Sequence, residues 1–317
     1  MDLFAQDKES SAVFNQTFFE KLASNDAGHR KEAAESINAY TRTRMREDSF
    51  LDRIMPAQDI ANEDLTRQVH TDKPMVVIDR EGDSPAAISV PFATQPTNFY
   101  IRFPRYVCSF ERIQTPRFTK DVVELRTWTM DVRQVISDNA IKDMLAEKDG
   151  KFLLAINTAL RGAGLTVPAT GAVQYKQIVG GIDRNSLADM LKIMPSTPFH
   201  LETHTCLTNV IANKELWKFG RDEMGGDKSQ DIMVNGWSME TFMGKRWLFT
   251  LKTELVPNGA VFMFSDPRFI GKHFQLEAPT MFIRQEAFML EFFSYENSGA
   301  TLGHIAGLAR ADFTGVV

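Results

Sequence analysis

The sequence is poor in cysteine and contains no long apolar run. Cys108 and Cys206 are its two cysteines, which allows at most one disulfide and favours a reduced cytosolic protein with buried thiols. No apolar stretch approaches the roughly 18–20 residues that a membrane-spanning helix needs. Residues 1–14 are acidic and lack the basic region and apolar core of a signal peptide. We therefore expect a soluble, cytoplasmic protein without a membrane partner.

Short catalytic motifs are also missing. The sequence has no GxSxG, CxxC, GxGxxG or Walker pattern, and the glycines at 180–181 and 299–303 lack the spacing that cradles a phosphate. Acidic and basic side chains are mixed between residues 111 and 131, which is more typical of ion pairs on a surface or between subunits than of a catalytic carboxylate pair. We expect no catalytic residue, no cofactor and no enzymatic activity.

One cluster keeps a metal-dependent enzyme open as an alternative. His200 and His204 are four residues apart, with Cys206 close by, but Glu202 stands third rather than second as in the zinc-protease motif. Residues 199–207 predict a buried strand, on which positions four apart are separated by about 13 Å, too far for one ion with bonds near 2 Å. Stoichiometric metal that is lost in His204→Ala would support this alternative.

Residues 131–161 predict one long helix. The stretch contains no proline, and apolar residues recur at helical spacing in both of its halves. Thr129 or Asp131 is a candidate N-cap, and Gly162 follows its end. Gly150 should weaken its middle by roughly 1 kcal/mol relative to alanine.

Residues 1–50 predict an N-terminal helical arm. Its first part carries a short apolar stripe, made of Val13, Phe14, Thr17, Phe18 and Leu22. Residues 25–28 interrupt the pattern, and residues 30–46 are charge-rich with few apolar side chains to bury. We expect this second part to extend into solvent or to lie across a neighbouring subunit.

Residues 74–110 predict an extended, irregular β-hairpin. The strand-like runs MVVID, AAISVPF, FYIRF and YVCSF are interrupted by prolines, which edge strands and loops tolerate better than central strands do. A turn signal occupies residues 81–85. Because an isolated hairpin with little helix to pack on is marginally stable, we expect it to rest on another chain.

The remaining chain predicts strands with a few short helices. Residues 112–128 have strand character, and helices are predicted at 185–194, with Asn185 as candidate N-cap, and at 209–219. Further strands are predicted at 199–207, 246–253, 260–264, 280–284, 287–295 and 302–313, with turns at PNG, SDP and ENSG. Helices precede strands rather than alternating with them, which favours an α+β fold over a doubly wound sheet.

This order of elements resembles the major capsid protein of tailed bacteriophages, which has the HK97-like fold. The stretch TMDVRQVISDNAIKDMLAEKDGKFLLAINTAL is similar to the spine helix of that family. SLADMLKIM, HLETHTCLTNV and NKELW are similar to the start of its central domain, and LEFFSYENSGATLGHIAGLARADF to its terminal strands. The resemblance implies an N-terminal helical arm at 1–50, an E-loop region with an extended hairpin at 51–125, and a peripheral (P) domain with the spine helix at 126–184. A central (A) domain follows at 185–255, and strands shared by both domains occupy 256–317.

The resemblance also implies a structural function. Hexamers and pentamers of the protein would self-assemble in the host cytoplasm into the icosahedral capsid of a virion, enclosing phage double-stranded DNA without sequence-specific binding. A net charge of −5 fits a container that does not grip its contents. The implied partners are further copies of the chain, with scaffold, portal and decoration proteins beside them. Charged residues of the hairpin are candidate subunit contacts, namely Arg80, Glu81, Asp83, Arg102 and Arg105.

A second shell type shares the same fold. Encapsulins, the shells of bacterial nanocompartments, tend to be shorter and to lack so extended an N-terminal arm. Residues 1–48 therefore favour the phage capsid, and the encapsulin remains the alternative.

Overall fold

The computed structural model describes residues 28, 49–67, 70–80, 89–92, 95, 98, 100, 103–121, 124, 132–161, 173–216, 218–219, 241–286 and 288–316. The predicted N-terminal arm up to residue 48, Gly28 apart, lies outside these residues. So does the predicted hairpin turn at 81–85. Within the described chain, no helix is long and apolar enough to cross a membrane.

The larger of the described sheets is mixed and has its strands in the order β6-β13-β10-β7-β9-β8. Its strands are β6 (Tyr175–Ile178), β7 (Thr205–Asn209), β8 (Thr241–Phe242), β9 (Lys245–Thr250), β10 (Ala260–Phe264) and β13 (Leu308–Phe313). Strand β10 coincides with its predicted bounds. Strand β7 begins later than predicted, because residues 199–204 precede it as turn and coil.

Helices cover both faces of this six-stranded sheet. Alternation along β10 sends Phe262 and Phe264 into a core with α1 (Phe50–Ile54) and the C-terminal half of α2 (Val132–Ala159). Val261 and Met263 enter a separate core with α3 (Arg184–Leu191) and α4 (Val210–Leu216). The sheet is the middle of three layers, and this explains why all five residues of β10 are buried.

The second described sheet is built on a long ribbon of two antiparallel strands, β11 (Gly271–Glu286) and β12 (Met289–Leu302). The strands predicted at 280–284 and 287–295 are parts of this ribbon, and both were predicted too short. The ENSG segment, predicted as a turn, lies inside β12. Glycine is needed at position 299 for close packing and not for a turn, because a Cβ there would come within 2.6 Å of the Ser109 carbonyl oxygen.

Shorter strands complete this sheet and the hairpin. β4 (Glu111–Gln114) and β5 (Phe118–Asp121) pair with β12, and β1 (Gln58–Asp59) pairs with β11. The predicted hairpin is present at its base, where β2 (Met75–Asp79) pairs with β3 (Arg105–Ser109). Described residues of the other two predicted runs, 89–92, 100 and 103, are not in strands.

The base of the hairpin rests on its own chain, and the expected contact of the extended hairpin with another chain stays a prediction. Cys108 and Phe110 are buried against Phe274 of the ribbon, and Gly303 leaves room for the ring of Tyr106. These contacts give the two-stranded base the apolar support that the sequence alone did not reveal.

Helix α2 joins the two sheets. Phe152, Leu153 and Ile156 pack on the six-stranded sheet, whereas Ile141 and its neighbours pack on Ile113 of β4. The predicted long helix is confirmed, and Gly150 sits inside it without a break. Helix α3 begins earlier than predicted. Its N-cap is Asp183, which forms a capping box with Ser186, rather than Asn185.

Candidate assembly surfaces and the joint between the sheets

The hairpin exposes large apolar side chains beyond its paired base. Phe92 is fully exposed, Tyr100 is 89% exposed and Phe103 is 64% exposed. Isolated exposed apolar side chains are common, but aromatic rings at this exposure in one segment are typical of a surface that another molecule covers.

Of the five predicted subunit-contact residues, two lie in the described chain. Arg105 Nε is 2.8 Å from Asp79 Oδ1 across the base of the hairpin, and both side chains are about 70% exposed. The backbone N–H of Arg80 donates to the Pro104 carbonyl oxygen at 2.8 Å. Glu81, Asp83 and Arg102 lie outside the described residues. The role of all five in subunit contacts stays a prediction.

The outer face of the ribbon carries a row of aromatic rings beneath two arginines. Phe282 stacks on Phe293 and on Tyr295, with ring centroids 5.5 and 5.7 Å apart. The guanidinium of Arg112 lies 5.1 Å from the Tyr295 ring centre, and that of Arg117 lies 5.7 Å from the Phe293 ring centre. We call these five residues the ribbon patch. Phe282 is 48% exposed, so the patch combines stacked rings, charge and accessibility.

The inner face of the ribbon meets α1 and α2 through buried charged side chains. Lys148 of α2 donates to Asp52 at 3.2 Å and to Glu296 at 3.1 Å, and Glu296 also accepts from Gln275 at 3.3 Å. His273 Nδ1 lies 3.1 Å from Asp52 Oδ1 without the alignment of a hydrogen bond, so we treat this as an electrostatic contact. We call Asp52, Lys148, His273 and Glu296 the joint cluster.

Two carboxylates, those of Glu296 and Asp52, set the charge state of Lys148. Burial alone would lower the pKa of Lys148, but the carboxylates of Glu296 and Asp52 outweigh burial and raise it. Burial likewise opposes ionisation of Asp52, and His273 and Lys148 together overcome it and lower the pKa of Asp52. Both side chains are therefore charged at neutral pH. Their desolvated ion pair joins α2 to α1, and the hydrogen bond from Lys148 to Glu296 joins α2 to the ribbon.

Next to this cluster, Asp149 fixes the start of α1. Its carboxylate accepts from Ser49 Oγ at 3.0 Å and from the Leu51 backbone N–H at 3.3 Å, and it pairs with Lys252. Burial is the largest influence on Asp149 and raises its pKa, because these partners offset burial only in part. The chain therefore enters the described fold at a fixed point.

The residues of the metal alternative do not form a ligand set. His200 follows α3 at a positive φ, its Nδ1 lying 3.1 Å from the Pro195 carbonyl oxygen, while His204 Nδ1 lies 3.1 Å from Thr205 Oγ1. Cys206 is fully buried in the core beneath α3 and α4, and burial raises its pKa to about 12. Among the described residues, no group of three His, Cys, Asp or Glu side chains is placed to hold a metal. The metal-dependent enzyme gains no support from this geometry.

Comparison with known proteins identifies the fold. No protein-family model and no curated protein matches the sequence. The virus-like particle of Pyrococcus furiosus is similar in structure, with a TM-score of 0.54 at 12% identity, over 89% of this chain and 100% of that one. The mature capsid of bacteriophage PhiM1 has a TM-score of 0.57 at 9% identity, over 85% and 88%. The capsid of cyanophage Pam1 has a TM-score of 0.52 at 10% identity, over 81% and 88%.

The chain therefore has the HK97-like fold of tailed-phage capsids, which confirms the resemblance and the α+β class. At these identities the similarity concerns the fold.

Proposed function

We propose that the protein is a structural shell protein, the major capsid protein of a tailed phage. The observation that carries the proposal is the capsid fold, which extends over 85% of the chain in the comparison with phage PhiM1. The exposed hairpin and the ribbon patch support it, because both are apolar surfaces whose burial between copies would stabilise an assembly. The copies would form hexamers and pentamers. Such rings require head-to-tail contacts between neighbouring copies that bring the last copy back to the first.

The regions of the fold would then have the following roles. Residues 1–50 are the N-terminal arm, 51–125 the E-loop region, 126–184 the P-domain with α2 as spine helix, 185–255 the A-domain, and 256–317 the shared strands. The joint cluster lies where α2 meets the ribbon, so it would fix the angle between helix and ribbon in every copy.

The hairpin would make the contacts between neighbouring copies. Its charged residues Arg80, Glu81, Asp83, Arg102 and Arg105 would pair across that contact, with the exposed rings beside them supplying the buried apolar area. Arg105 already pairs with Asp79 in its own chain, so in an assembly it would be shared or exchanged.

Assembly of the protein expressed alone tests the proposal. Size-exclusion chromatography and negative-stain electron microscopy should show rings, tubes or closed shells. Full-length protein that stays a monodisperse monomer at every salt concentration and pH, also with phage lysate added, would contradict it.

Shells that form inside infected cells should contain nuclease-protected double-stranded DNA. Scaffold, portal and decoration proteins would be the further partners, and the virion capsid the location.

A nanocompartment shell is the second candidate. It is favoured by the similarity to the Pyrococcus furiosus virus-like particle, whose whole chain is covered by the match. Mass spectrometry of purified shells separates the two candidates. A co-purifying cargo enzyme would establish the nanocompartment, and packaged DNA would establish the phage capsid.

A further inference from the structure

An open cleft lies at the end of the six-stranded sheet where the parallel strands β7 and β9 begin. Its volume is about 530 Å³, which is within the usual range of small-molecule sites. Three segments enclose it, namely the coil before β7, the turn between β8 and β9, and the short helix α5 (Pro267–Ile270) that follows β10. The joint cluster and the ribbon patch contribute none of the lining. The cleft is therefore separate from the surfaces described above.

Strand pairing brings basic side chains from two strands to this cleft. The backbone N–H of Arg246 donates to the His204 carbonyl oxygen at 3.1 Å, which holds the starts of β9 and β7 side by side. Lys245 comes directly before Arg246, and all three residues line the cleft. Three side chains that carry or can acquire a positive charge therefore border one cavity.

Most of the charges that line the cleft are already paired. Lys245 Nζ lies 3.1 Å from Glu202 Oε2. Asp266 Oδ1 accepts from the Arg268 backbone N–H at 3.0 Å and lies 3.5 Å from Arg268 Nε. Arg246 is different, because its side chain is partly buried and has no ion-pair or hydrogen-bond partner within the described chain. A partly buried positive charge without a counter-ion favours an anionic ligand.

The cleft offers a second polar contact and an apolar wall beside Arg246. His204 Nδ1 lies 3.1 Å from Thr205 Oγ1, whereas its Nε2 has no partner among the residues that the structure describes. Phe269 is 43% exposed and supplies apolar surface together with Leu201. A guanidinium binds a carboxylate through two parallel hydrogen bonds, and an aromatic ring packs against an apolar group. The lining therefore fits a carboxylate that is attached to an apolar group.

Two strained backbone positions flank the cleft. His200 has a φ of 50° and Met243 a φ of 51°, in the left-handed region that residues other than glycine rarely adopt. His200 directly precedes the lining residue Leu201, and Met243 directly precedes the lining residue Gly244. Strained positions of this kind cluster at functional sites, where the surrounding structure holds them in place.

We propose that this cleft binds an organic carboxylate. Arg246 holds the carboxylate, His204 donates a hydrogen bond to it from Nε2, and Phe269 contacts the apolar group. One uncompensated positive charge matches the single negative charge of such a ligand. This inference does not depend on shell formation, since the cleft belongs to one chain.

Fluorine NMR with the unassembled full-length protein tests the proposal. The probe is para-fluorophenylacetate, which carries one carboxylate on a fluorinated ring. Its fluorine signal should broaden and shift saturably as protein is added. The uncharged para-fluorophenylacetamide has nearly the same shape and should bind at least about ten-fold more weakly, because it cannot form a charge-assisted pair with Arg246.

Two substitutions locate the binding. Arg246→Met removes the guanidinium and keeps an apolar chain, and it should weaken binding of the probe at least about ten-fold. Arg184→Met is the matched control, because Arg184 is an exposed arginine of α3 that does not line the cleft, and it should leave the affinity unchanged. Slow hydrogen exchange of β10 in both variants confirms that they fold.

The same chemistry occurs in small acids and at the C-terminus of a peptide that ends in an apolar residue. The tripeptide Gly-Gly-Phe, compared with its C-terminal amide, separates these two sources. Tighter binding of the tripeptide than of para-fluorophenylacetate would assign the cleft to a peptide terminus, and the reverse order would assign it to a small acid.

Three results would overturn the proposal. The first is a fluorine signal that does not saturate as protein is added. The second is equal affinity for the acid and its amide. The third is equal weakening of binding in Arg246→Met and Arg184→Met.

Discussion

The six-stranded sheet and the ribbon use their two faces differently. Helices cover both faces of the six-stranded sheet, and its central strand is buried along its whole length. The ribbon is covered on one face, where it meets the helices through charged side chains, and it exposes stacked rings on the other. The first region completes its own core, whereas the second leaves apolar surface available. We infer from this difference that folding relies on the six-stranded sheet, and we propose that assembly would use the ribbon and the hairpin.

The largest contrast is expected between two phenylalanines. Phe262→Ala removes a fully buried ring between the six-stranded sheet and α2 and should lower the free energy of unfolding by about 3–5 kcal/mol. Phe282→Ala truncates a half-exposed ring of the ribbon patch and should cost the isolated chain less than about 1 kcal/mol while impairing assembly. Urea titration of the unassembled proteins measures both losses. Equal losses would remove the distinction between the two regions.

Two lysines of α2 provide the next contrast. Lys148→Met leaves Asp52 and Glu296 buried without their cation and should cost about 3 kcal/mol or more. Lys151→Met is the control, because the Lys151–Glu111 pair is largely exposed and should contribute less than about 1 kcal/mol. Urea titration of the unassembled proteins measures both changes in the free energy of unfolding. If the two substitutions had similar effects, the joint cluster would not hold the helix to the ribbon.

The acid dependence of stability should separate two neighbouring aspartates. Asp52 has a lowered pKa in the folded protein, so its contribution is present above its ordinary value of 3.8 and is lost as the pH falls through the folded value. Asp149 has a raised pKa, so its ionised form costs stability at neutral pH and that cost is relieved as the pH falls towards 3.8. Asp52→Asn should reduce the pH dependence of the free energy of unfolding below pH 3.8. Asp149→Asn should reduce that dependence above pH 3.8. Urea titrations between about pH 3 and 7 measure the slopes.

The smallest effect on the isolated chain is expected for Arg105→Ala. Its pair with Asp79 is exposed, so the free energy of unfolding should change by less than about 1 kcal/mol. A subunit contact at this position would nevertheless slow or prevent assembly, measured by light scattering. Lys192→Ala is a suitable control, since it removes an exposed pair with Asp189 on α3. Identical assembly of both variants would count against the predicted contact.

Much of the fold was predictable where local signals agree. The long helix, the strand at 260–264 and the base of the hairpin follow from apolar spacing over several residues. The ribbon was underestimated because Glu296, Asn297, Ser298 and Gly299 resemble a turn in sequence. Their strand conformation depends on partners that are remote in sequence, with Glu296 bonded to Lys148 and Gly299 packed against Ser109.

The candidate assembly surfaces were less predictable than the fold. The hairpin could be identified from its prolines and strand-like runs, but its support by Phe274 comes from a segment more than 160 residues away. The ribbon patch and the joint cluster were missed. The alternation of Phe293 and Tyr295 with Ser294 and Glu296 was a signal that one face is aromatic and the other polar. Which polar residues meet across the joint depends on tertiary packing.

Hydrogen exchange of the protein before and after assembly tests the central claim most directly. We predict that β2, β3 and the outer-face segment around Phe293 become markedly more protected in the shell. Strands β7, β10 and β13 should exchange equally slowly in both states, because their core is complete in one chain. Protection gained mainly in the six-stranded sheet, with the ribbon and hairpin unchanged, would contradict the account.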